Sequence, residues 1–271
     1  MLKNCREEDF YKIHTATFSR LNPETISGFL FASMIISGIM TLVITNALTS
    51  PFITSPIWDR VYAVYLIILG IQIVTAVLYL FRSTIYKYQR MQAILLSLFC
   101  VMLSVEFYPI YFLSIEDRFA PGFFNTIGLV FLIGGFLSLL FFSIRAAVWV
   151  RQGKLRKEGP GLFHTKEFFI YLSVVGALAF LLLAWAFYQA RTDYFMSIGE
   201  IITLFQAAFY SVILQYSLAM ALPEIFLLTY CKFRFASYRD PNPPIRKKRP
   251  VKQKMEAKKF GYHQVSYSFY R

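Results

Sequence analysis

Histidine is scarce in this chain of 271 residues: His14, His164 and His263 are the three, and none lies in an apolar stretch. A serine nucleophile working inside a membrane needs a base beside it, and no imidazole is placed to serve. Cysteine is equally sparse, and Cys5, Cys100 and Cys231 have neither metal-ligand nor redox spacing. The topology derived below puts Cys5 and Cys231 on one side and Cys100 in the bilayer, so no disulfide is expected. There is no GxxxxGK[ST] and no HExxH, which excludes the P-loop and zincin routes. Catalytic pairs of carboxylates are missing as well. The chain therefore does not read as an enzyme, and no cofactor or metal is expected. The opening CREEDFYK has no apolar core, so no cleavable signal is expected either.

Charge is also low. Charged residues make up 16% against 57% hydrophobic, with a mean hydropathy of +0.51, values that belong to membrane proteins. Six apolar runs, about 26–49, 61–81, 93–115, 123–150, 168–190 and 197–230, each reach the roughly 20 residues that a bilayer crossing needs. The expected fold is an all-α polytopic membrane domain over residues 26–230 with six transmembrane helices. Residues 1–25 precede it, with Phe10, Ile13, Thr17 and Leu21 at the spacing of an interfacial helix; a partly ordered lead-in is the other reading. Asn22-Pro23-Glu24 carries the signals of a helix start. The last run is the longest and contains Pro223, which allows it to tilt, kink or project from the membrane.

The +13 net charge is concentrated in the tail 231–271, which holds twelve Lys/Arg against Asp240 and Glu256. The N-terminus, second loop, fourth loop and tail carry four, three, five and twelve Lys/Arg, whereas the other three loops carry one each. Positive residues stay on the cytoplasmic side, so a cell-membrane protein with both termini cytoplasmic is expected. In the tail, Arg246, Lys247, Lys248 and Arg249 follow a Pro-rich spacer. Next to a membrane such a cluster favours anionic lipid headgroups, with no nucleic acid expected as partner; plain retention of topology by charge is the alternative.

Few polar residues lie within the spans. Glu106 lies a little past the middle of the third, where an ionised carboxylate costs about 2.5–3.5 kcal/mol on insertion scales. It is either a coupling group on a substrate or ion path, with Gln206 and Gln215 of the sixth span as further path candidates, or a carboxyl hydrogen-bonded across to another helix; the two glutamines, with Gln72, read most simply as interhelical hydrogen-bond partners. Pro109 three residues on predicts a bend there. Arg145 and Glu224 both fall near the cytoplasmic ends of their spans and are candidates for an intramembrane ion pair; for Arg145, snorkelling toward headgroups is the alternative. Gly134-Gly135 with Ser138 nearby permits close helix approach, and Trp58 and Trp149 read as interfacial anchors.

Six spans with a leading N-terminal helix look architecturally like the permease halves of some ATP-driven exporters, a likeness carried by no diagnostic motif. It implies a membrane subunit of a transport or export system, energised by a cytoplasmic ATPase or other membrane subunit. Arg151, Lys154, Arg156 and Lys157 of the fourth loop would be the docking patch. The rival reading is a non-transporting scaffold, immunity, regulatory or assembly protein, sealed by its many Phe and Leu.

Overall fold

The computed structural model describes residues 2, 5–159, 161–162, 165–192, 194 and 196–239, the side chains of 165–168 excepted. Its helices are α1 (Tyr11–Phe18), α2 (Pro23–Ala47), α3 (Ile57–Leu78), α4 (Arg82–Lys87), α5 (Gln89–Val105), α6 (Tyr108–Asp117), α7 (Gly122–Arg151), α8 (Thr165–Thr192) and α9 (Ile198–Arg234). Single turns of 3-10 helix precede α1 at Glu7–Phe10 and follow α9 at Ala236–Tyr238, and no strand occurs among the described residues. Six stretches are long and apolar enough to cross a membrane: α2, α3, α5 with α6, α7, α8 from Phe169, and α9.

Local chemistry sets the helix ends. The Asn22 side chain accepts the Thr25 N–H at 2.7 Å, and Pro23 takes the first turn of α2, as the sequence signals require. Ser197 and Glu200 form a reciprocal capping box at the start of α9. At the end of α7, Gly153 adopts φ +71°. The N–H groups of Gly153 and Lys154 then bond the carbonyls of Val150 and Trp149, each at 3.0 Å. This is a Schellman closure, whose left-handed position suits glycine. The third span breaks at Glu106-Phe107, because Pro109 in the first turn of α6 has no N–H to return to Val105.

α9 is the axis of the bundle. At 37 residues it is roughly 55 Å long, it continues through Pro223 as helix, and it packs against α5, α6, α7, α8 and α1. Over half of its span window is buried, more than in any other span. The outward faces carry the exposed apolar side chains that a bilayer would cover, among them Ile39 and Leu42 of α2 and Ile133 and Leu137 of α7. Two apolar cores lie along α9. One, at the end we call the base, joins Phe10, Leu30, Phe99, Leu155 and Leu228; the other joins Tyr111, Phe124, Leu183 and Leu204.

Both terminal regions extend the fold past the expected domain limits. Phe10 and Ile13 are fully buried, so the first helix packs onto the base. The last helix runs to Arg234, and Tyr238 is buried with its hydroxyl donating to the Phe10 carbonyl at 2.9 Å. Lys232 and Arg234 suit the negative end of the helix dipole, which is why basic residues assigned to the tail continue the helix. The Arg246–Arg249 cluster lies outside the described residues.

Candidate functional site

Three polar stations tie the bundle together, two of them through α9. The innermost joins α6, α7 and α9. Tyr108 donates to Gln215 Oε1 at 2.6 Å, Gln215 Nε2 donates to the Leu132 carbonyl at 3.0 Å, and Tyr216 donates to the Phe131 carbonyl at 3.1 Å. The approach depends on Gly134 and Gly135: a Cβ on Gly135 would overlap the Gln215 amide, and one on Gly134 the Tyr216 hydroxyl. The sequence anticipates the small residues of α7 and an interhelical hydrogen-bonding role for Gln215, but not that Tyr108 and the Leu132 carbonyl are its partners. Gln215 is thus a clasp between helices, bonded through both its amide oxygen and its amide nitrogen. Gln206, its partner on the expected path, is exposed on the outer face of α9.

The second station is the break in the third span. Glu106 is 6% exposed, Ser37 of α2 faces its carboxyl, and its main-chain carbonyl accepts the Tyr65 hydroxyl at 2.7 Å. Its Oε2 is buried with no hydrogen-bond partner among the described residues. A little further along, Glu116 accepts the N–H groups of Thr54 and Ser55 and the Trp58 indole N–H, the last at 2.5 Å. Asp117 accepts from Ser50 at 2.5 Å. Trp58 is therefore a buried clamp on the α2–α3 turn, where the sequence suggested an interfacial anchor; the carboxylate at the end of α6 draws its indole inward.

The third station is the base. The ion pair suggested between Arg145 and Glu224 is not the one formed. Arg20 reaches α9, and its Nη2 donates to both carboxylate oxygens of Glu224, at 2.6 and 2.7 Å. The turn after α1 brings Arg20 over the carboxylate, while the Arg145 guanidinium lies over the Trp149 ring, 4.2 Å from its centroid. The N-terminal segment is also tied to the α7–α8 connection. Lys12 N–H bonds the Leu155 carbonyl at 3.0 Å, and Arg156 reaches Asp9 at 2.7 Å. Burial pushes the Asp9 carboxyl up, but the Arg6 N–H and the Arg156 guanidinium outweigh it and hold the group below its ordinary value.

The expected docking patch is divided by this arrangement. Arg156 is engaged by Asp9, Lys154 lies 4.8 Å from the Trp149 ring centroid, and Arg151 and Lys157 are exposed. Glu8 and Glu158 share the open pocket beside Lys154 and Lys157, so the surface is mixed in charge. Among the described residues no group of three or more His, Cys, Asp or Glu could hold a metal ion. Sequence reading missed Arg20, Asp9, Tyr108 and Glu116. Only the Ser197-x-x-Glu200 capping box, also missed, has a local signature. No known family model, curated protein or solved structure matches the chain.

Proposed function

We propose that this chain is a non-transporting component of the cell membrane, a multi-pass scaffold, regulatory or assembly subunit with both termini in the cytoplasm, which acts by binding other membrane constituents. The observation that carries this reading is the dispersal of the three path candidates. Gln206 faces outward, Gln215 has its amide bonded on both sides, and Glu106 belongs to the α2–α3–α5 side of the bundle. A path needs polar groups from several helices to converge on one accessible cavity, and these do not. The cytoplasmic placement of the termini rests on the distribution of Lys and Arg.

A transport role remains the second reading, favoured by one observation: the unbonded Glu106 Oε2 beside a broken helix, the kind of place where transporters bind coupling ions. The two separate in liposomes holding the purified protein and a pH-sensitive dye. The binding reading expects proton flux at the level of empty liposomes for wild type and Glu106→Gln alike. Flux in the wild type that Glu106→Gln abolishes would overturn it. So would stoichiometric copurification of an ATPase from native-lipid nanodiscs, lost when Arg151, Lys154 and Lys157 are replaced.

A further inference from the structure

α2 starts at the base, where the Pro23 carbonyl accepts from Gln92 at 2.7 Å. Its 25 residues carry it about 37 Å toward the opposite end of the bundle. The hydrocarbon layer is about 30 Å thick, so the last turn of α2 reaches the headgroups, and the end of α6 lies beside it. There the α2–α3 turn is fastened to α6 by the bonds that Glu116 accepts and by Ser50, which donates to Asp117 Oδ1. A pocket of about 180 Å³ remains between the two helix ends. Val43 and Ile110 are among its apolar walls, and Asn46, Ser114, Asp117 and Arg118 supply the polar ones.

The fold does not use up these polar walls. Among the described residues the side chains of Asn46, Ser114 and Arg118 make no hydrogen bond, Arg118 makes no ion pair, and Asp117 Oδ2 is unbonded. Glu200 of α9 feels the charge of Arg118, but its carboxylate is bonded inside the Ser197 cap. The chain leaves α6 through a strained turn. Phe119 takes φ +48°, and the Ala120 N–H returns to the Ile115 carbonyl at 2.9 Å. Such a left-handed position strains any residue with a Cβ, and glycine would relieve it. What phenylalanine supplies is an exposed ring, 5.5 Å from that of Phe52, which is exposed as well. An exposed aromatic pair suits the boundary between headgroups and acyl chains, the level that the length of α2 gives for the pocket.

We infer that this pocket holds the headgroup of one phosphatidylethanolamine molecule, with its phosphate on Arg118 and its ammonium on the open oxygen of Asp117. A guanidinium offers paired donors to phosphate oxygens. A primary ammonium has three N–H donors for a carboxylate, whereas the trimethylammonium of phosphatidylcholine has none. Phosphatidylglycerol has no cation to set against Asp117. One cation and one anion in the wall thus match a headgroup that carries one of each. The size agrees: a cavity of about 150 Å³ admits benzene, so the pocket takes a small headgroup and is too small for a peptide segment. The acyl chains would lie on the exposed apolar face of α2 below it, at Ile39 and Leu42. Occupancy does not depend on whether Glu106 carries protons.

The test is native mass spectrometry of the full chain in detergent, titrated with phosphatidylethanolamine, phosphatidylcholine or phosphatidylglycerol of the same acyl chains. One phosphatidylethanolamine is expected to be retained in preference to either of the others. Arg118→Gln should weaken its retention about tenfold or more. That side chain makes no bond within the fold, so the variant should keep the wild-type unfolding midpoint. Asp117→Asn keeps an oxygen for Ser50 but offers the ammonium no charge, so the preference over the other two lipids should shrink. Equal retention of the three lipids, a preference for phosphatidylglycerol, or retention unchanged by Arg118→Gln overturns the inference. So does displacement of the lipid by glycerophosphoethanolamine at matching concentration, which would mark a site for a soluble zwitterion.

Discussion

Gly135→Ala tests how tightly the α7–α9 contact is built. The added Cβ would overlap Cδ, Oε1 and Nε2 of Gln215, and that amide is pinned by Tyr108 on one side and the Leu132 carbonyl on the other. Interhelical bonds of this kind in membrane proteins average about 0.6 kcal/mol and reach about 1.7, so losing both costs about 1–3 kcal/mol. If the amide holds and the helices shift instead, overpacking costs a similar 1–3 kcal/mol. The intrinsic gain of Ala over Gly in a helix offsets up to about 1 kcal/mol. The expected net is about 1–2 kcal/mol of destabilisation, read as a lower midpoint when the protein in mild micelles is unfolded with a denaturing detergent. Gly176 of α8 is the control: a Cβ there meets nothing within 4 Å, so Gly176→Ala should be neutral or stabilising. Gln215→Ala is destabilising on its own, yet it removes the atoms that the new methyl strikes. The Gly135→Ala, Gln215→Ala pair should therefore fall short of additivity by about 1 kcal/mol or more. Additive effects, or a Gly135→Ala midpoint moving with that of Gly176→Ala, would refute the reasoning.

At the base, Arg20→Ala leaves the Glu224 side chain, 9% exposed, without the guanidinium nitrogen that both its oxygens accept from. It should destabilise by about 1–3 kcal/mol, and most of that loss should vanish in a Glu224→Gln background; an equal loss in both backgrounds would mean that the pair contributes nothing. The Asp9–Arg156 tie is sensitive to acid. Its carboxyl is held below the ordinary 3.8, so its contribution is complete above that value and is lost as pH falls through the lower folded value. Amide exchange in residues 5–18 should rise relative to α9 once pH drops below about 3.8, corrected for intrinsic rates. Asp9→Asn should show no such step; a step of the same size in that variant would assign the change to another group.

The spans were legible because bilayer thickness sets a length that any apolar run must meet, and the break near Pro109 because proline has no N–H to give. The partners were less legible. Arg145 and Glu224 lie near the same end of the bundle, which charge and hydropathy patterns can place. Whether they face one another depends on rotation about two helix axes, which those patterns leave free. Arg20 and Glu224 are 204 positions apart, and Arg20 stands in a segment with no strong apolar signal to mark it as packed. One error was avoidable. Gln206 and Gln215 are nine residues apart, two and a half turns at 3.6 residues per turn, so they point to opposite faces of α9 and could never have lined one path.

Position along α9 also decides which parts of the bundle resist movement. Its inward polar groups are engaged at several levels: Gln215 and Tyr216 with α6 and α7, Thr229 with Ser97 and the Ala93 carbonyl, Glu224 with Arg20. Displacing α9 would break all of these at once, in surroundings where unbonded polar groups are costly. α8 is different. It meets α9 through small residues such as Ala179, Ala186 and Ala190 and has little contact with α7. A groove at Arg145 opens between this lightly held helix and the fixed pair α7 and α9. Movement of α8 would widen or close that groove and leave the axis of the bundle unchanged.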